Sequence, residues 1–266
     1  MPFIYLVFLA VTQGITEFLP ISSSSHLILV AKFFNITGRS LTLDVAMHVG
    51  TLGAVLMYLW RDIAMIVIGI FNRFRGIKSH GSTLFFWLVI GTMPVLGAGY
   101  ILNQVYPDGI LSIRLIAWTT FIFGVLLILA DKIGMTFRRI EHLTFGDIIC
   151  IGIAQAVALI PGTSRSGICM TAARILGMER TDAARFSMLL SIPVIIGAGS
   201  LKGYELLQYG NPNYTNEILA GAFLSFIVAL LSIWLMMAWL RRANFTPFGI
   251  YRILLGGCLL GFSYSW

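Results

Sequence analysis

Six stretches of this chain, roughly 43–70, 83–104, 111–131, 183–208, 216–240 and 247–265, are apolar over lengths that can cross a bilayer. Inside hydrocarbon every backbone N–H and C=O must find its partner within the protein, and a helix satisfies all of them within one segment. Each stretch is therefore read as a helix. The composition agrees: 58% of the 266 residues are hydrophobic and 11% charged, against about 25% charged in a soluble domain. One membrane domain, residues 1–266, accounts for the whole length.

Two further apolar stretches are broken near their middles. Residues 3–33 are interrupted by Leu19-Pro20-Ile21-Ser22-Ser23-Ser24-Ser25, and residues 145–176 by Pro161-Gly162-Thr163-Ser164-Arg165-Ser166-Gly167. Proline ends a helix, and the hydroxyl residues after it can cap the next one. Each stretch is thus expected to be a re-entrant hairpin whose break lies inside protein or beside water. Matching Pro20 to Pro161 sets one polar cluster against the other, and Ala31-Lys32 and Ala173-Arg174 follow. The chain reads as two repeats, about 3–133 and about 144–265, each with one hairpin and three spans. An odd number of spans inverts the second copy. The expected fold is an all-α polytopic membrane protein with six transmembrane helices and two re-entrant helical hairpins in two inverted-topology repeats.

The net charge of +7 is spread in short clusters between apolar runs, without the continuous basic face that nucleic acid requires. With the topology above, 12 of the 18 Lys and Arg residues fall on one side, and Lys32, Arg39, Arg114 and Lys202 on the other. By the positive-inside rule the first side is cytoplasmic, so the mouth of the first hairpin faces outward. Cys150, Cys169 and Cys258 stand alone in apolar surroundings and read as packing residues. No Lys or Arg precedes Lys32, so no signal-peptide n-region is expected.

The chemistry concentrates at the breaks. Gln13 and Glu17 are four apart on one face of the first half-helix, and a carboxylate at membrane depth marks a functional site. A helix starting near Ser22 puts Ser23 and His26 on one face, a hydroxyl beside a base, and turns early N–H groups toward an anion. Arg165 carries a permanently charged fork that matches phosphate oxygens, and Gly162 and Gly167 allow close backbone approach. Asp44 and His48, four apart near the start of a span, are ambiguous between packing or capping, the favoured reading, and catalysis, and Arg252 reads as an arginine snorkelling to the cytoplasmic face.

Gln13-Gly-Ile-Thr-Glu17-Phe-Leu-Pro20-Ile-Ser22-Ser23-Ser24-Ser25-His26 and Pro161-Gly-Thr-Ser-Arg165-Ser-Gly167 resemble the two signatures of the bacterial undecaprenyl pyrophosphate phosphatases linked to bacitracin resistance. The likeness runs along nearly the whole chain, through Phe245-Thr-Pro247 and Tyr251-Arg252. It implies a hydrolase of the inner membrane that converts the diphosphate lipid to its monophosphate for carrier-lipid recycling in cell-wall synthesis, assisted by a divalent cation, Mg²⁺ or Ca²⁺. Glu17, Ser23, His26 and Arg165 would be catalytic, and Gln13 and Glu17 would hold the metal. Ser22, Ser24, Gly162, Thr163, Ser164 and Ser166 would bind substrate. The expected partners are the polyprenyl diphosphate and the bilayer, with no nucleic acid; homodimer formation stays open. Gln13 supplies a neutral carbonyl where some relatives carry Glu, and Ser25 stands where many carry glycine. Ser23, His26 or an activated water can each be the attacking group. The other lipid-phosphatase type needs a second histidine after its Ser-Arg segment, and none follows His142. The rival from another class is a transporter or lipid flippase, because inverted repeats with broken helices also serve transport.

Overall fold

The computed structural model describes residues 3–34, 41–106, 112–209 and 215–264. Residues 35–40, Arg39 among them, and residue 265 lie outside the described residues. Among the described residues there are eleven α-helices, one 3-10 turn at Ile140–His142 and no strand.

Each broken stretch is a helical hairpin: α1 (Phe3–Thr16) with α2 (Ser23–Phe33), and α7 (Phe145–Val157) with α8 (Arg165–Ile175). α7 starts where the sequence says it should, since Thr144 and Asp147 form a reciprocal capping box. The six apolar stretches begin with α3 (Leu41–Tyr58) and continue with α5 (His80–Val105), α6 (Ile113–Ile133), α9 (Arg180–Tyr209), α10 (Thr215–Leu240) and α11 (Thr246–Tyr264), of which the last five are each long and apolar enough to cross a membrane. One expectation needs refinement: the stretch 43–70, read as one helix, is two, which are long and apolar enough for a span only together. It is α3 followed by α4 (Trp60–Phe74), bent by 81° with only Leu59 between them. Arg61 and Asp62 in the first turn of α4 and Arg73 in its last explain why: such a helix keeps charge at both ends and cannot continue through hydrocarbon.

The spans are apolar outside and smaller or more polar inside. On α10, Leu219, Phe223, Ile227, Leu231 and Trp234 are exposed, while Ser225, Ala229, Ser232 and Ile233 are buried. Apolar surface of that extent suits lipid, and small inward residues let helix backbones approach. The hairpins lean on spans of the opposite repeat: α1 packs on α10, and α7 on α5. The foot of the second hairpin is stapled by Asp131. Its Oδ1 accepts from Arg174 Nε at 2.9 Å and Arg180 Nε at 2.8 Å, and its Oδ2 from the Phe245 amide at 3.0 Å. Three donors share one buried carboxylate, so α6, α8, α9 and the start of α11 are fixed to one another before any chemistry is asked of the breaks.

Candidate active site

Both breaks end on the same backbone feature. Ser22 (φ 75°) immediately precedes α2, and Ser164 (φ 70°) immediately precedes α8. Left-handed backbone at a non-glycine residue is strained and persists where the surroundings enforce it. These starts shift the proline-based match by one residue: Ser22 corresponds to Ser164, so Ser23 corresponds to Arg165. Each is the first residue of its half-helix.

Those two residues meet at one carboxylate. Ser23 Oγ donates to Glu17 Oε2 at 3.0 Å, and Arg165 Nη2 donates to Glu17 Oε1 at 2.7 Å. Gln13 Nε2 donates to Glu17 Oε2 at 3.0 Å, one turn back on α1. Ser166 Oγ also crosses between the breaks, donating to the Leu19 carbonyl at 2.8 Å. The two polar clusters therefore form one site, as the cost of burying either alone leads one to expect. Glu17 and Arg165 sit at the polar end of a cavity of about 230 Å³, whose other walls include Val95, Leu159, Val194 and Ile195.

Among the described residues, three buried side-chain polar atoms lack a hydrogen-bond partner: Gln13 Oε1, Thr163 Oγ1 and Arg165 Nη1. All three belong to the two signatures. Burying such groups unpaired costs on the order of 1–3 kcal/mol each, and of the three residues Arg165 lines the cavity beside Glu17. The other expected substrate-binding hydroxyls are committed locally. Ser22 Oγ bonds to Ser25 Oγ at 2.9 Å and Ser24 Oγ at 3.3 Å, and Ser164 Oγ caps α8 by accepting from the Gly167 amide at 3.2 Å. Gly162 serves as backbone. It has φ 93°, and a Cβ there would lie 2.1 Å from Thr119 Oγ1.

His26 is held differently from Ser23. The Ser22 carbonyl can only accept, so His26 Nδ1 donates to it at 2.7 Å; Nε2 of the neutral ring is then the acceptor for the Tyr251 hydroxyl at 2.6 Å. Both ring nitrogens are engaged away from the Ser23 hydroxyl, whose hydrogen-bond partner is Glu17. The histidine beside Glu17 is His48. Its Nδ1 donates to the Asp44 carbonyl at 2.7 Å, and its Nε2 lies 3.9 Å from Glu17 Oε2. Asp44 and His48 line the same cavity, beside Glu17 and Arg165. Sequence reasoning missed Tyr251 because nothing local marks it, and it left His48 aside although a histidine at membrane depth was signal enough.

Gln13 Oε1 and Glu17 fit a hard cation as half of a site. Mg²⁺ and Ca²⁺ take oxygen ligands, and Mg²⁺ is commonly held by one or two carboxylates with phosphate and water completing the shell. Among the described residues no cluster of three His, Cys, Asp or Glu could hold a metal by itself, so the substrate would have to supply the remaining oxygens.

Comparison with known proteins points the same way. The family model described as bacitracin resistance protein BacA matches residues 6–258. The undecaprenyl-diphosphatase 1 of Rhodospirillum rubrum is 44% identical, over 97% of this chain and 94% of its own. Undecaprenyl-diphosphatases of a Jannaschia species and of Ruegeria pomeroyi are 45% and 43% identical, covering 98% and 100% of both chains.

Proposed function

The chain belongs to the bacitracin resistance protein BacA family, and on that premise we propose that it is a multi-pass membrane phosphatase converting undecaprenyl diphosphate to the monophosphate at the Glu17–Ser23–Arg165 cluster. The observation that carries the site assignment is the meeting of both breaks at one carboxylate, where Ser23 Oγ and Arg165 Nη2 each donate to Glu17 while Arg165 Nη1 stays without a partner.

In the mechanism this geometry favours, Ser23 Oγ attacks the terminal phosphorus and passes its proton to Glu17 Oε2. The bond from phosphorus to the bridging oxygen breaks, and its electron pair leaves with the lipid monophosphate. Arg165 holds Glu17 with Nη2 and turns Nη1 to the equatorial oxygens, where charge gathers. Glu17 hands that proton to the departing monophosphate; water then attacks the phosphoserine and gives its proton to Glu17, which returns it to Ser23 Oγ as the bond from phosphorus to serine breaks and inorganic phosphate departs. Gln13 and Glu17 would hold Mg²⁺ or Ca²⁺, which when bound neutralises diphosphate charge. The apolar wall formed by Val95, Leu159, Val194 and Ile195 suits the first isoprene units.

Detergent-purified protein is expected to release inorganic phosphate from undecaprenyl diphosphate. Detergent leaves no compartments, so a pure transporter gives no release, and that result would overturn the phosphatase reading. The site is proposed to open outward, on the charge asymmetry of the loops. A cysteine introduced in the 33–42 loop is expected to react with an impermeant maleimide from the outer face; labelling only from the cytoplasm inverts the topology.

A further inference from the structure

The last helix supplies a residue that neither signature contains. Arg252 on α11 is 0% exposed and does not snorkel to an aqueous face, contrary to the expectation from its position in the sequence. Its Nη1 donates to the Pro20 carbonyl at 3.3 Å, and its Nη2 to the carbonyls of Gly162 at 3.0 Å and Thr163 at 2.7 Å. Its Nε reaches the Thr120 carbonyl at 3.4 Å. Pro20 belongs to the first break, and Gly162 and Thr163 to the second. One guanidinium thus ties the two breaks together through their backbones.

The charge on this side chain is as informative as its contacts. Arg174 has Asp131, Arg185 has Asp62 and Arg165 has Glu17. Among the described residues no carboxylate pairs with Arg252; its acceptors are carbonyls, which satisfy its N–H groups but carry no net charge. An arginine at membrane depth is costly even on the lowest scales. The surrounding backbone makes room for it: a Cβ on Gly167, in the first turn of α8, would lie 2.7 Å from Arg252 Nη1.

We propose that Arg252 is a positioning residue for phosphoryl transfer. It locks the breaks in one register, so that Ser23 at the start of α2 and Arg165 at the start of α8 address the same phosphate, and its charge is balanced by the bound diphosphate. It acts through the carbonyls of Pro20, Gly162 and Thr163 rather than by touching the reacting atoms. Lysine keeps the charge but cannot bridge two breaks with a planar fork. The inference rests on the phosphatase reading and deepens it.

The test compares wild type with Arg252→Lys, Arg252→Met and Gly167→Ala, each purified in detergent. Melting with and without inorganic pyrophosphate is read beside kcat and KM. Arg252→Lys and Gly167→Ala are expected to melt cooperatively and to lose kcat by about 10- to 100-fold, because small misplacements of reacting groups have effects of that order. Their KM is expected to move by less than about threefold, the signature of a loss confined to the transition state. Pyrophosphate should raise the melting temperature of wild type and of the two variants that keep a cation at this place, and raise that of Arg252→Met distinctly less, because Arg165 still addresses the phosphate there. The positioning role is overturned if Arg252→Lys and Gly167→Ala keep wild-type kcat, or if their losses equal the loss of folded protein. The charge role is overturned if pyrophosphate stabilises Arg252→Met as much as wild type, or fails to stabilise wild type. Absence of phosphate release from wild type would overturn the phosphatase reading instead, leaving the pyrophosphate comparison to judge the charge of Arg252.

Discussion

Ser23→Ala is expected to lower turnover on undecaprenyl diphosphate by on the order of 10³-fold or more while leaving a folded protein, the pattern that follows loss of a nucleophile. The hydroxyl donates to Glu17 Oε2 at 3.0 Å, so the proton it must lose already points at its acceptor. Removing it leaves Glu17 bonded to Gln13 and Arg165, and leaves Ser22 bonded to Ser24 and Ser25. The structural loss should therefore be about 1 kcal/mol, the net worth of one hydrogen bond. His26→Ala, measured beside it, should have the smaller effect on turnover, because the ring is held by the Ser22 carbonyl and Tyr251 rather than by Ser23. Phosphate release under single-turnover conditions separates the readings. Full activity in Ser23→Ala together with a dead His26→Ala would mean that histidine or water attacks.

Arg165→Lys should lower kcat by on the order of 10² or more with a much smaller change in KM. Nη2 of Arg165 is occupied by Glu17, and Nη1 is buried without a partner. One group thus does two jobs through two different nitrogens: it holds the base and waits for phosphate. A lysine ammonium can restore the ion pair with Glu17, which keeps the fold and the charge, but it has no second planar arm to turn to the substrate. A change confined to KM would make the contact a uniform one, and a fully active Arg165→Lys would mean that phosphate recognition belongs to another residue.

Much of this site could be read before any coordinates. The hairpins follow from apolar runs interrupted by Pro20 and Pro161, because proline and capping hydroxyls act within a few residues of themselves. Gln13 and Glu17 share a face because helical spacing is local, and Gln13 Nε2 bonds Glu17 Oε2 across one turn. Glu17 and Arg165 stood out because hydrocarbon makes unpaired charge expensive, wherever its partner comes from. The identity of the partners was another matter. Arg165 reaches Glu17 across 148 residues, Tyr251 reaches His26 across 225, and Arg252 reaches Pro20 across 232. No periodicity spans such separations. The one-residue shift between the repeats likewise shows only in the backbone, where Ser22 and Ser164 take the same left-handed turn. The sequence by itself determined which segments are helices and which polar and charged residues lie at the breaks, because propensity, capping and the penalty for buried charge are local or one-body effects. Only the packing of α11 and α3 against the hairpins decided that His26 faces Tyr251, that His48 faces Glu17 and that Arg252 holds the two breaks together. Those contacts are pairwise and long-range, and they exist only once the helices have docked.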